Sequence, residues 1–161
     1  MYLQRKSASS WDGPEKHALA AFSGGLEPMK KGLEQKLVKR FPAWFDVNGD
    51  VRRTLMPFGF QCGDGWFNIL WRLCTDLEPL VAEIEKEAGE GFEVLQVKQK
   101  MGILRFYVTH HTDAIDGRIE EAQIQSARTC EVCGQPGRQR EIRGWIRAAC
   151  DEHAHSPEEG R

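Results

Sequence analysis

The sequence predicts an α+β fold: helices packed on a β-hairpin or small antiparallel sheet, with a C-terminal treble-clef-like zinc module. Three observations predict it. From Trp66 to Ile84, apolar residues recur at three- and four-residue steps, the period of an amphipathic helix. Two β-rich runs, Phe92 to Gln99 and Ile103 to Val108, flank Met101-Gly102, as in a hairpin. Finally, Cys130-x2-Cys133 and Cys150-x2-His153 form two spaced pairs of metal-ligand type.

The chain has 161 residues, 40% apolar and 29% charged, with 22 basic and 24 acidic side chains and a net charge of −2. That is enough for one domain with a modest core, or a domain plus a small zinc module. A general nucleic-acid binder carries a basic excess, which this chain lacks. No apolar run approaches the roughly 18 residues of a membrane span. The cysteine count is odd, the spacing is of metal type and no export signal precedes it, so reduced cysteines and the cytoplasm are expected.

Taken in order, residues 1–31 mix Ser, Gly, Pro and charge without a sustained period and read as a flexible N-terminal arm. Within it, Glu15 to Phe22 suits a short helix ended by Ser23-Gly24-Gly25, and Trp11 and Phe22 are available to dock on a partner or on the body. The body spans 32–128. Leu33, Leu37, Phe41 and Trp44 fit a short amphipathic helix stopping near Pro42, and Asn48-Gly49-Asp50 is a turn. Asp64 is the expected N-cap of the central helix, whose apolar stripe is Trp66, Ile69, Leu70, Leu73, Leu77, Leu80, Val81 and Ile84. Pro79 predicts a kink or break within it, and Gly89 to Gly91 its end. After the hairpin, Asp113 to Arg128 reads as a helix capped by Asp113, with Ile115, Ile119, Ala122 and either Gln123 or Ser126 inward. The zinc module, 129–155, should hold a Cys-x2-Cys knuckle, a Pro136-Gly137 turn, a short strand or hairpin over Arg138 to Ile146, and a terminal helix over Ala148 to His155. Residues 156–161 form a solvated tail.

Zinc takes four soft or borderline ligands at tetrahedral corners, and Cys130, Cys133, Cys150 and His153 supply them as two pairs. His155, two residues on, is the alternative to His153; ordinary buried thiols are the alternative to a metal site. Four protein ligands would make the zinc structural. Around them, Arg128, Arg138, Arg140, Arg143 and Arg147 outnumber Glu131 and Glu141. With Trp145, Arg138, Arg140, Arg143 and Arg147 form a candidate binding face for phosphates or an acidic protein surface, set against the plain reading of a solvated face.

Other residues invite weighing. Cys62 precedes a helix N-terminus, where a thiol is acidified and a nucleophile would sit; as a small buried hydrophobe it would be inert. Cys74 belongs to the core. His110 and His111 face opposite ways along a strand and read as a polar strand end. Lys98, Lys100 and Arg105 flank the hairpin.

The blocks PFGFQCGDGWFNIL, QVKQKMGILRFYV and TCEVCGQPGRQREIRGWIRAACDEH, over roughly residues 57 to 153, resemble a family of small zinc-finger proteins encoded by bacteriophages and prophages. Met101-Gly102-Ile103 departs from that pattern, standing where an aromatic followed by glycines is expected. The resemblance implies an accessory phage protein in the host cytoplasm, acting on host machinery or defence, but supplies no mechanism. Three function classes follow. One is a non-enzymatic protein binding a host protein or nucleic acid through the arginine face. Another is a treble-clef nuclease, although no Asp-His or His-Asn-His block lies between Cys133 and Cys150. The third is a thiol enzyme at Cys62.

Overall fold

The computed structural model describes residues 26–89 and 91–155. The suggested Glu15–Phe22 helix, Trp11, Phe22 and the tail 156–161 lie outside the described residues. The rest is α+β. Helix α1 is Lys31–Arg40, α2 is Phe67–Ala88 and α3 is Asp113–Ser126. Strands β1 (Val94–Lys100) and β2 (Ile103–Val108) form one antiparallel pair; β3 (Arg138–Ile142) and β4 (Trp145–Ala149) form another. No helix among the described residues is long and apolar enough to cross a membrane.

The core follows the apolar stripe of α2. Trp66, Ile69, Leu70, Leu73, Leu77 and Val81 are buried, and Leu80 and Ile84 pack on them. Helix α3 packs on α2 and on β2, bringing Ile115, Ile119 and Ala122 against Val97, Leu104 and Phe106. At the other end α1 brings Leu37 and Phe41 to an aromatic layer. There the Phe41 and Trp44 rings stack at 5.0 Å, and Trp44 meets Phe92 edge-on at 5.1 Å. The core reaches into the expected arm: Met29 is buried, and its N–H donates to the Phe60 carbonyl at 3.3 Å.

Several local expectations are corrected. Pro79 does not break α2, which runs through it. Pro79 and Thr75, whose carbonyl loses its i+4 donor, are both exposed, so water can satisfy the freed group. Asp64 does not cap α2. A 3-10 turn, Asp64–Trp66, precedes the helix, and the Asp64 carboxylate instead accepts the Lys30 N–H (2.8 Å) and pairs with Lys30 Nζ (3.2 Å), tying down the start of α1. The cap of α3 is Thr112 rather than Asp113. Thr112 has extended backbone, so its hydroxyl reaches the Ile115 N–H at 3.2 Å, while Asp113 is already helical. Ser126, not Gln123, is the inward residue: its Oγ accepts the Leu104 N–H at 2.9 Å and joins α3 to β2.

The largest difference is at the C-terminus. The expected helix from Ala148 is absent. Arg138 pairs with Ala149, so β4 runs on to the residue before Cys150, and Asp151 to His155 form turns and bends. Ala148 and Ala149 are both buried, which a strand crossing packed surface achieves without a helix.

Candidate metal centre

Helix α3 delivers the chain into the knuckle. There the Gly134 N–H donates to the Cys130 carbonyl (2.9 Å) and the Cys130 N–H to the Gln135 carbonyl (2.8 Å). The turn puts Cys130 and Cys133 side by side, and the β3–β4 hairpin returns Cys150 to them. Arg140 fastens the far side: Nε donates to the Ala149 carbonyl (3.1 Å) and the guanidinium pairs with the Asp151 carboxylate, bracketing Cys150.

The ligand atoms of Cys130, Cys133, Cys150 and His153 all lie within 4.8 Å of one another. The Cys133 and Cys150 sulfurs are 3.8 Å apart; His153 Nδ1 lies 3.6 Å from Cys130 Sγ and 3.2 Å from Cys150 Sγ. His155 lies outside the group. These four residues form a site able to hold a metal ion. The chemistry of the sulfurs fits that use. Burial opposes ionisation of Cys130, but the backbone N–H groups of Cys150, Cys133 and Val132 outweigh it and hold its thiol below the ordinary value. Cys133 is exposed, yet partial desolvation, with the sulfurs of Cys130 and Cys150 alongside, pushes its thiol up to about 11. One charged sulfur thus disfavours the next, and a cation among them removes the conflict.

The module is seated on the Cys62-Gly63-Asp64-Gly65-Trp66 loop. The Gly65 N–H donates to the Glu131 carbonyl (2.8 Å), the Gly63 N–H to Glu131 Oε1 (3.1 Å) and Trp66 Nε1 to the Thr129 carbonyl (2.9 Å). A Cβ at Gly65 would overlap the Cys130 and Glu131 carbonyl oxygens and lie 2.5 Å from the Gly134 nitrogen. The glycines of this block are there because the knuckle backbone lies against them. Glu131 is 1% exposed, and burial pushes its carboxyl up to about 7 even though the Gly63 N–H and Arg147 lower it.

The loop residue with a proposed chemical role is enclosed. Cys62 is 2% exposed, and burial, with the negative fields of Glu131, Glu34 and Asp64, raises its thiol far above the ordinary range. Cys74 is fully buried and its thiol is raised the same way. His110 and His111 are a polar strand end: His110 Nδ1 meets Thr109 Oγ1 at 2.9 Å and His111 Nδ1 meets Asp116 at 2.6 Å.

The arginine face divides. Arg138, Arg140, Trp145 and Arg147 share one side of the β3–β4 pair. Arg138 and Arg143 are exposed, Arg143 in the hairpin turn, and Trp145 is 45% exposed. Arg140 is taken up in bracketing Cys150, and Arg147 is half-buried with its Nε enclosed and Glu131 nearby. Sequence reasoning missed both structural roles, as well as the burial of Glu131. The paired glycines of the Cys62–Trp66 block were the available signal. Comparison with protein-family models, with curated proteins and with solved structures gives no match for this chain.

Proposed function

We propose that the module holds a structural zinc ion and that the protein acts without catalysis, as a phage-type accessory protein docking on a host protein or nucleic acid in the host cytoplasm. The donor set carries this reading. A Zn–S bond of about 2.3 Å at the tetrahedral angle sets two sulfurs about 3.8 Å apart, and with Zn–N near 2.0 Å a sulfur and a nitrogen about 3.5 Å apart. The sulfur pair stands at 3.8 Å and the sulfur–nitrogen pairs at 3.6 and 3.2 Å. Three thiolates and an imidazole suit zinc, whereas magnesium and calcium take oxygen. Four protein ligands leave no position for a reacting water, so the ion's work is to hold the knuckle to the hairpin. The enclosed, neutral Cys62 speaks against a thiol nucleophile, and interference with host defence is one form the docking would take.

In this reading the exposed members of the arginine face, Arg138, Arg143 and Trp145, make the contact, and Arg140 and Arg147 support them from below. The test is capture from host lysate by tagged wild type and by an Arg138→Ala/Arg143→Ala/Trp145→Ala variant, with and without nuclease. The expected result is a partner retained by wild type and lost by the variant. Retention through nuclease treatment makes it a protein, and loss a nucleic acid. A partner held equally by both proteins contradicts the assignment to this face.

A further inference from the structure

We propose that the outer face of the β1–β2 sheet is a second contact surface, and that it takes single-stranded nucleic acid. The sheet is covered on one side only. Val97 and Phe106 pair on the core side with Gln99 and Leu104, while the Gln96–Tyr107, Lys98–Arg105 and Lys100–Ile103 pairs face away from the helices. The paired residues of this outer face include three cations and no carboxylate; the nearby Glu93, just before β1, is taken up by Arg53 at 3.3 Å. Among the described residues, no acidic group lies within ion-pair distance of Lys98, Lys100 or Arg105. In a chain of net charge −2, such a cluster marks a surface for a negative partner.

The kind of negative partner is set by Tyr107. Its ring is 44% exposed at one end of the cationic row, next to the Lys98–Arg105 pair, with Lys98 Nζ 5.7 Å from its centroid. Beside it opens a shallow groove of about 470 Å³, lined by Arg52, Lys98 and Tyr107 with apolar Val51, Leu55 and Leu95. An aromatic ring among backbone-neutralising cations is the arrangement on which an unpaired base stacks while its phosphates meet the charges. A duplex offers phosphates but no free base face, so it gains only the charge contribution. The Lys98 contact with the ring is exposed and weak, and a stacking base displaces it, freeing the ammonium for phosphate. None of these residues belongs to the metal module, so the inference goes beyond the arginine face.

The test is fluorescence anisotropy of the full chain with labelled oligothymidine of about twelve nucleotides, a length within the usual site sizes, and with a duplex of equal length. The expected result is single-strand binding at least roughly tenfold tighter than duplex binding. Tyr107→Ala should weaken it roughly tenfold and Tyr107→Phe by no more than about twofold, the signature of stacking. Lys98→Ala/Lys100→Ala should lower the slope of log affinity against log salt by about 1.4, two phosphates at about 0.7 each. Unchanged thermal unfolding of these surface variants keeps the reading clean. Equal single-strand and duplex binding, a Tyr107→Ala protein that binds like wild type, or poly-glutamate bound as tightly as the oligonucleotide each overturns the proposal. So does loss of binding in Arg138→Ala/Arg143→Ala alone, which would place the contact on the metal module. Failure to bind any oligonucleotide while lysate capture still succeeds sinks this inference and leaves the arginine-face reading standing.

Discussion

The body and the C-terminal module are held by different means. The body buries Leu37, Phe60, Trp66, Leu70, Leu77 and Phe106 in one hydrocarbon and aromatic core. Between Cys130 and His155 the buried side chains are Cys130, Glu131, Ile142, Ala148, Ala149 and Cys150, of which only Ile142 is a large apolar residue. A segment with so little apolar surface to remove from water needs another source of order, and the proposed metal ion, held by the four clustered ligand atoms, would provide it. The two regions meet mainly through hydrogen bonds, from the Gly63 and Gly65 N–H groups to Glu131, from Trp66 Nε1 to the Thr129 carbonyl and from Gln139 Nε2 to the Met101 carbonyl, and Ala148 is the residue by which the module joins the body's apolar core.

Removing the metal should break this comparison most visibly. Structural zinc contributes on the order of 10 kcal/mol to small modules that fold around it. Chelation, or Cys150→Ser, is expected to abolish hydrogen-exchange protection across 129–155 while α2 keeps its own. Loss of protection in both regions together would show that they do not fold separately. Cutting the core instead should act on the body alone. Leu77 is fully buried, and Leu77→Ala should cost about 3 kcal/mol by urea unfolding while the metal content stays at one ion per chain. Gly65→Ala attacks the seam. The added methyl overlaps the knuckle backbone, and a loss of about 2 kcal/mol is expected, with the module's protection falling before the body's.

The smallest effect is one of pH. Burial holds the Glu131 carboxyl at about 7, above the value it has in the unfolded chain. The folded state therefore binds its proton more tightly. The residue's favourable contribution is present below about pH 4.5 and is lost as pH rises through about 7. Glu131→Gln keeps an acceptor for the Gly63 N–H and cannot ionise. At pH 8 it should be more stable than wild type by about 2 kcal/mol, and at pH 5 the gap should narrow. A gap that widens on acidification would mean that Glu131 is ionised and paired in the folded protein.

What could be seen in the sequence was what periodicity and spacing encode. The stripe from Trp66 to Ile84 became α2, Met101-Gly102 became the turn between β1 and β2, and the two ligand pairs converged. Long-range packing was not legible. Nothing local distinguishes Ala148-Ala149 as the end of a strand from the start of a helix; pairing with Gln139 and Arg138 decides it. Nothing local told that Arg140 would be taken up by Asp151, or that Gly63 and Gly65 leave room for a knuckle more than sixty residues away. Asp64 looked like a cap because caps are local, yet its partner is Lys30, on another element.

The most direct test of the account is zinc K-edge absorption spectroscopy on purified protein of known metal content. One zinc per chain, with three sulfurs at about 2.3 Å and one nitrogen near 2.0 Å, is the result the account predicts. Protein that retains its fold across 129–155 without bound zinc, or a shell containing oxygen ligands, would contradict it.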